Sequence, residues 1–282
     1  MFSKKRELRF FFLRLAIVCL AISDLLLFGA LFYGKETNLQ PAAIVRPPIV
    51  EAGANVPLPI LIYHYVEYVR DPGDTIRQSL DIVPHIFEAQ VKTLKEAGYT
   101  FITPNQIDDL EKGRLIAQKP IIISFDDGYE DFYTDVLPIL EKYDVRAVAY
   151  IVSGFVDHKN YLTTDQLKTI VGGKLVEVGA HSVHHLALAK IDPVGAKDEV
   201  VYSKDWLEKN FGIKISSFAY PYGSFNTDIV KYVQFAGFKN AMTIVEGANL
   251  NLEDEYLLKR IHPGSRVGRD LVNFIEKRDE LK

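Results

Sequence analysis

Short apolar runs alternate with stretches of helical periodicity along most of the chain. Ile60-Leu61-Ile62-Tyr63 is the first such run, and Ile121-Ile122-Ile123 is continuous, as expected of a strand buried on both faces. Val148 to Val152, Val176 to Gly179, Ser217 to Tyr220, Ala241 to Val245 and Leu257 to Ile261 complete the predicted strands. Helical patterns fall between them. Pro84 to Ala97 places Phe87, Val91 and Leu94 on one face, and Gly98 stops it. Thr103-Pro104 opens a second helix, with Thr as cap and Pro in the first turn. Others are predicted from Tyr129 to Tyr143, after a cap at Thr163 or Thr164, from Val194 to Asn210, from Asn226 to near Gly237, and from Asp270. Repeated strand–helix alternation implies an α/β fold with a parallel sheet and helices outside. An open doubly wound sheet and a closed barrel both satisfy it. Either would gather its site at the C-terminal ends of the strands.

The N-terminal region has a different pattern. Phe10 to Tyr33 is mostly apolar, long enough for a membrane span of about 20 residues. Lys4, Lys5, Arg6 and Arg9 precede it, and Arg14 can snorkel toward that side. Asp24, mid-span, costs about 2.5–3.5 kcal/mol on an insertion scale, which the surrounding Leu and Phe residues can offset. The basic flank puts the N-terminus in the cytoplasm and the rest outside. The expected organisation is a transmembrane signal anchor in residues 1–36, a Pro-rich extended linker in 37–56 and one globular domain in 57–282. The expected location is therefore the cell membrane, single-pass, with the domain on the extracytoplasmic side. Ala21-Ile22-Ser23 resembles a signal cleavage site, so secretion after cleavage is the alternative.

Composition narrows the chemistry. A net charge of −4 argues against a nucleic-acid partner. The sole cysteine, Cys19, lies in the apolar run, which excludes an intramolecular disulfide and a thiolate zinc knuckle. A metal site would have to be built from His, Asp and Glu.

Such residues cluster after the predicted strands. Ser124-Phe125-Asp126-Asp127-Gly128 follows directly on Ile121 to Ile123. Two adjacent carboxylates in a confined site repel each other; a metal removes the difficulty by taking one and leaving the other as a base. The plain alternative is a helix cap. His181-Ser182-Val183-His184-His185 follows Val176 to Gly179. His181 and His185 are one helical turn apart and suit a divalent transition metal, with His184 as the competing second ligand. One carboxylate and two imidazoles leave open positions, the design of a catalytic metal site. Tyr220-Pro221-Tyr222-Gly223 reads as a sharp turn whose backbone N–H groups and rings could meet a ligand. His262 could act as a general acid, and His64 could line the same pocket.

In this order the motifs resemble the polysaccharide deacetylases of carbohydrate esterase family 4, whose shared unit is the NodB homology domain. The matching elements are Ser124-Phe125-Asp126-Asp127-Gly128, His181-Ser182-x-x-His185 and Tyr220-Pro221-Tyr222-Gly223. Pro59-Ile60-Leu61-Ile62-Tyr63-His64 is similar to the start of the extracellular branch that includes poly-N-acetylglucosamine deacetylases. The resemblance covers about residues 57 to 275. It implies a distorted (β/α) barrel of about seven strands. It also implies a metal-dependent hydrolase that removes acetyl groups, N-acetyl above all, from a cell-surface or extracellular polysaccharide. Asp126 would be the general base acting on a metal-bound water, and Asp127, His181 and His185 would be the ligands. The metal would be divalent, zinc first, with cobalt, nickel and iron(II) as other candidates. Tyr222 N–H would help hold the oxyanion, and His262 would be the late catalytic histidine. His64, Tyr220, Pro221 and Tyr222 would contact substrate.

Two departures stand out. Many members carry Arg two residues before the Pro of the third motif, where it orients the base; here that residue is Ala219. The Asp-and-Trp motif of peptidoglycan and chitin deacetylases is not evident between Gly237 and Leu250, and the sole Trp is Trp206. Rival readings are a non-catalytic glycan-binding module on the same fold and another metal-dependent amidohydrolase or esterase.

Overall fold

The computed structural model describes residues 57–248, apart from 70 and 72, and residues 254–279. The membrane span expected in 1–36 and the linker expected in 37–56 lie outside the described residues. Among those described, no helix is long and apolar enough to cross a membrane.

Eight parallel strands are described: β1 (Ile60–Tyr63), β2 (Thr100–Phe101), β3 (Pro120–Phe125), β4 (Ala147–Ile151), β5 (Val176–Ala180), β6 (Ser217–Ala219), β7 (Asn240–Glu246) and β8 (Leu258–Arg260). Seven of them run in the order β1-β3-β4-β5-β6-β7-β8, and β2 extends the lower end of β3. Just past β8, Ile62 N–H donates to Ile261 O (3.0 Å) and Ile261 N–H donates to Ile60 O (2.8 Å). These bonds bring the last strand against the first, giving a nearly closed barrel. Of the two topologies that alternation allowed, the chain takes the barrel.

Strand periodicity then sorts the side chains. Ile60, Ile122, Val148, Tyr150, Ala219, Met242 and Leu258 form one buried cluster, the filling of the barrel. Their alternates, including Ile121, Ile123, Ala149, Ile151, Val178 and Phe218, join a larger cluster with the helices. β3 is buried at every position, which explains its unbroken apolar run.

The helices are α1 (Thr75–Leu80), α2 (Pro84–Glu96), α3 (Ile107–Glu111), α4 (Leu137–Tyr143), α5 (Thr164–Gly172), α6 (Pro193–Phe211), α7 (Thr227–Phe235) and α8 (Gly268–Asp279). On α2, Phe87, Val91 and Leu94 are fully buried, as their spacing predicts. Each such side chain contributes about 1.5–3 kcal/mol. Thr163 is the cap of α5, in a capping box with Gln166. The helix expected from Tyr129 to Tyr143 forms only from Phe132 and begins as a π-helical turn, Phe132–Val136, before α4. Pro138 has no N–H to offer Thr134 O, so an unbroken α-helical ladder cannot run through it. The helix opened by Thr103 is a 3-10 turn, Pro104–Gln106, running into the short α3. α1 carries no clear periodic signal and has no buried residue.

Candidate active site

The C-terminal strand ends deliver the polar residues to one mouth. Asp126 and Asp127 leave β3, His181 leaves β5, Tyr222 follows β6, and Arg260 and His262 come from β8 and the segment after it. His64 follows β1.

Asp127, His181 and His185 converge, with one ligand atom from each within 4.8 Å of the others. Asp127 Oδ1 lies 3.3 Å from His181 Nε2 and 3.1 Å from His185 Nε2. That oxygen is buried and has no hydrogen-bond partner. A buried carboxylate oxygen left unbonded is costly unless something else satisfies it. His181 Nδ1 lies 2.7 Å from Ala219 O. A carbonyl can only accept, so Nδ1 carries the proton and Nε2 keeps its lone pair for a ligand. The donor set, the tautomer and the orphaned oxygen therefore fit a divalent cation.

Geometry separates His184 from His185. His184 Nδ1 donates to Glu199 Oε1 of α6 (2.6 Å), and the ring is exposed. Glu199 Oε2 accepts from the backbone N–H of Val183 (2.9 Å) and His184 (2.8 Å), so one buried carboxylate fastens the loop. On the other side, Gly154 N–H donates to Val183 O (2.9 Å). A Cβ at Gly154 would meet that carbonyl at 2.5 Å, so only glycine permits the approach.

The backbone around the triad is strained. Asp127, Ser182, His185 and Tyr222 all have positive φ, at 75°, 63°, 54° and 56°. Non-glycine residues pay about 1–3 kcal/mol for such conformations, which cluster at functional sites.

Asp126 is not part of the triad. Arg260 clamps it from β8, with Nη1 to Oδ1 at 2.6 Å and Nη2 to Oδ2 at 2.7 Å. Arg260 Nε donates to Thr243 O (2.7 Å), and Nη1 also reaches Ser124 Oγ at 3.3 Å. Both partners are buried, Arg260 completely. This arginine reaches Asp126 from another strand, where Ala219 has no side chain to do so. Burial alone would push the Asp126 carboxyl up, but Arg260 and His181 outweigh it and hold the pKa below its ordinary value. Burial opposes ionisation of Asp127 too, yet His181 and His185 hold its pKa well below the usual range. For His181 burial pulls the pKa down, and Asp126 and Asp127 raise it overall.

This pairing of a clamped, ionised carboxylate with an adjacent metal-ready triad, at the mouth of a seven-strand parallel barrel, narrows the comparison to hydrolases of one kind. A family model described as polysaccharide deacetylase matches residues 116–241. The Bacillus subtilis (strain 168) protein YxkH, named as a polysaccharide deacetylase, is 29% identical over 205 residues, covering 72% of this chain and 70% of that one. The Staphylococcus aureus (strain N315) poly-beta-1,6-N-acetyl-D-glucosamine N-deacetylase is 28% identical over 188 residues, 62% of this chain and 65% of that protein, so the match spans just under two thirds of its length. Among solved structures, the Streptococcus pyogenes deacetylase PplD in complex with acetate superposes with a TM-score of 0.71 at 28% identity, covering 80% of this chain and 99% of that one.

In sequence and in fold the chain is similar to the polysaccharide deacetylases.

The other candidate residues stand as follows. Tyr222 is 64% exposed and meets the His185 ring edge-on, centroids 4.4 Å apart. Its neighbours turn away: Tyr220 is fully buried against Phe218 and Phe225, and Pro221 is buried. The Tyr220 ring is thus a core residue, with no face for a sugar. His64 is half-buried; burial lowers its pKa, and the nearby Asp126 and Asp127 oppose the shift. His262 stands exposed at the rim, where desolvation by the wall and then the Arg260 charge lower its pKa, with Glu246 and Asp126 opposing. Its loop is held by Gln90 of α2, whose Nε2 donates to Gly264 O (2.7 Å) and Arg266 O (2.8 Å). Arg260 and Glu199 are the residues that the sequence reading missed. Arg260 had a signal: a charge inside a strand, on the same strand face as His262.

Proposed function

We propose that this deacetylase hydrolyses N-acetyl groups of a cell-surface or extracellular polysaccharide, with a divalent metal held by Asp127, His181 and His185 and with Asp126 as general base. The observation that carries this reading is the division of labour between adjacent carboxylates. Asp127 turns a bare, buried oxygen toward two imidazole nitrogens, while Asp126 is locked to Arg260.

When bound, a divalent cation there supplies positive charge that polarises an acetyl carbonyl and acidifies water. Zinc suits the one-carboxylate, two-imidazole set best, with cobalt, nickel and iron(II) next. Asp126 takes the proton of the attacking water; its lowered pKa keeps it ionised at neutral pH. The bidentate Arg260 contact fixes the carboxylate's plane. Tyr222 N–H donates to the developing oxyanion, a type of contact worth about 2.7–4 kcal/mol. His262 gives a proton to the departing amine; its lowered pKa makes the protonated form a stronger donor, at the cost of a small protonated fraction at neutral pH. His64 and Tyr222 border the substrate. The name of the Staphylococcus relative favours a poly-N-acetylglucosamine substrate. The basic flank and apolar run of residues 1–36 favour a membrane-held enzyme acting outside the cytoplasm.

Asp126→Asn tests the assignment of the base. The variant should bind zinc as tightly as the parent and release no acetate from poly-N-acetylglucosamine. Near-normal release would remove Asp126 from the role.

A further inference from the structure

Three tyrosines from three strand ends meet beside the triad. Tyr65 follows β1, Tyr129 follows the Asp127-Gly128 turn after β3, and Tyr161 lies in the loop after β4. Tyr65 and Tyr129 stack with centroids 3.9 Å apart and planes 21° apart. Tyr129 and Tyr161 lie 5.0 Å apart at 34°. The row is closed at its ends by the Arg77 guanidinium, 4.4 Å from the Tyr65 ring, and by Phe155, 5.0 Å from Tyr161. Stacking takes up ring faces along the row, and what the row offers a ligand is its hydroxyl edge. Tyr129 comes two residues after Asp127, which sets the row beside the triad.

The hydroxyls are not needed to fasten these loops, because the main chain already does so. Glu130 N–H donates to Asn160 O (3.0 Å), and Leu162 N–H donates to Gly128 O (2.9 Å). Tyr129 and Tyr161 remain only half-buried, whereas Tyr65 is buried behind them. Each phenolic hydroxyl can both donate and accept a hydrogen bond. That mixture of donors and acceptors matches the vicinal hydroxyls of a sugar. It does not suit a phosphate, which the nearby Asp127 would repel. Rigid aromatic residues also bind with little loss of side-chain freedom.

We propose that Tyr129 and Tyr161, backed by Tyr65, form a glycan subsite that holds the sugar ring next to the one being deacetylated. The inference rests on the deacetylase reading above and makes the enzyme selective for a chain over a single sugar.

The test uses the zinc-loaded full chain and β-1,6-linked N-acetylglucosamine oligomers of one to six residues. Tyr129→Phe and Tyr161→Phe remove only a hydroxyl. Their loss of kcat/KM on the hexamer should exceed the loss on the monomer tenfold or more, and should appear in KM. An equal loss at every length, or no loss, overturns the subsite. Calorimetric binding of the hexamer to Asp126→Asn, with and without Tyr161→Phe, gives a readout independent of turnover. A Kd at least tenfold weaker in the double variant supports the subsite; an unchanged Kd, or no hexamer binding to Asp126→Asn alone, overturns it. Tyrosine-dependent binding without acetate release from the parent enzyme would leave the subsite standing and defeat the deacetylase reading instead.

Discussion

The contact between Arg260 and Asp126 joins residues far apart in sequence, and in the proposed mechanism its shape matters as much as its charge. Two fully desolvated partners meet through paired N–H···O bonds. Replacing Arg260 by Ala would leave the carboxylate buried and unpaired, a change that typically costs about 3–5 kcal/mol; urea denaturation should show a loss of that order. Arg260→Lys keeps a charge but not the fork, and should lower kcat about 10- to 100-fold through misplacement of the base. Comparable turnover in the lysine variant would mean that orientation does not matter. A second buried carboxylate, Asp131, makes a pH prediction. Its Oδ2 accepts from Val66 N–H, its Oδ1 is buried without a partner, and Glu67 and Arg77 face it. Burial above all raises its pKa from 3.8 to about 7. Between those values the folded chain holds a proton that the unfolded chain has released, so stability falls as pH rises through that window. At 1.36 kcal/mol per unit the ceiling is about 4 kcal/mol. Asp131→Asn should therefore gain stability relative to the parent at pH 8 and lose that advantage near pH 4, measured by denaturation at both. A pH-independent difference would contradict the assignment. At this scale the cluster of Asp127, His181 and His185 was legible because paired Asp and spaced His residues are rare together. Arg260 was not read as the partner of Asp126, because barrel closure alone brings β8 against β1 and its arginine within reach of the end of β3.

Elements place these residues, and the loop after β5 shows how. Ser182 and His185 adopt left-handed conformations, and the loop is gripped by Glu199 of α6 and by the loop after β4. Glu199→Ala would free the N–H groups of Val183 and His184 and let His185 drift. Supporting contacts of this kind typically control 10- to 100-fold of metal affinity, and zinc competition with a chromogenic chelator should register a loss in that range. An unchanged affinity would show that the loop holds itself. The spacing of the histidines could not choose between His184 and His185, because the choice depends on Glu199, fourteen residues beyond His185 on α6. Strand positions were legible from apolar runs, and α2 from its period. The start of the helix after Asp127 was not, since Pro138 and a π-turn override the local pattern. Tyr220 was misread for a related reason: alternation along β6 sends it outward into the core, while the turn exposes Tyr222.

For the whole molecule, the parallel order was readable from strand–helix alternation, whereas closure was not, because it rests on two hydrogen bonds between Ile261 and the first strand. Closure matters functionally, since it packs Arg260 under Asp126 and gathers residues from β1, β3, β5, β6 and β8 at one mouth. A cation bound there favours the folded state: zinc at about 100 times its Kd should add roughly 2.7 kcal/mol, and Asp127→Ala should lose the effect. The gain should shrink on acidification, because His181, with its raised pKa, must give up a proton before it can coordinate. Thermal unfolding with and without zinc at pH 5.5 and 7.5 would read both effects, and an equal gain at the two pH values would contradict the ligand role of His181. The most direct test of the central claim is acetate release. Chelator-stripped enzyme reloaded separately with zinc, cobalt or nickel would be given poly-N-acetylglucosamine, acetylated chitooligosaccharides, peptidoglycan and acetylxylan, beside Asp127→Ala. The account predicts release that returns with metal and is absent in Asp127→Ala. Release that survives complete metal removal, or no release from any of these polymers by folded, metal-loaded enzyme, would contradict it.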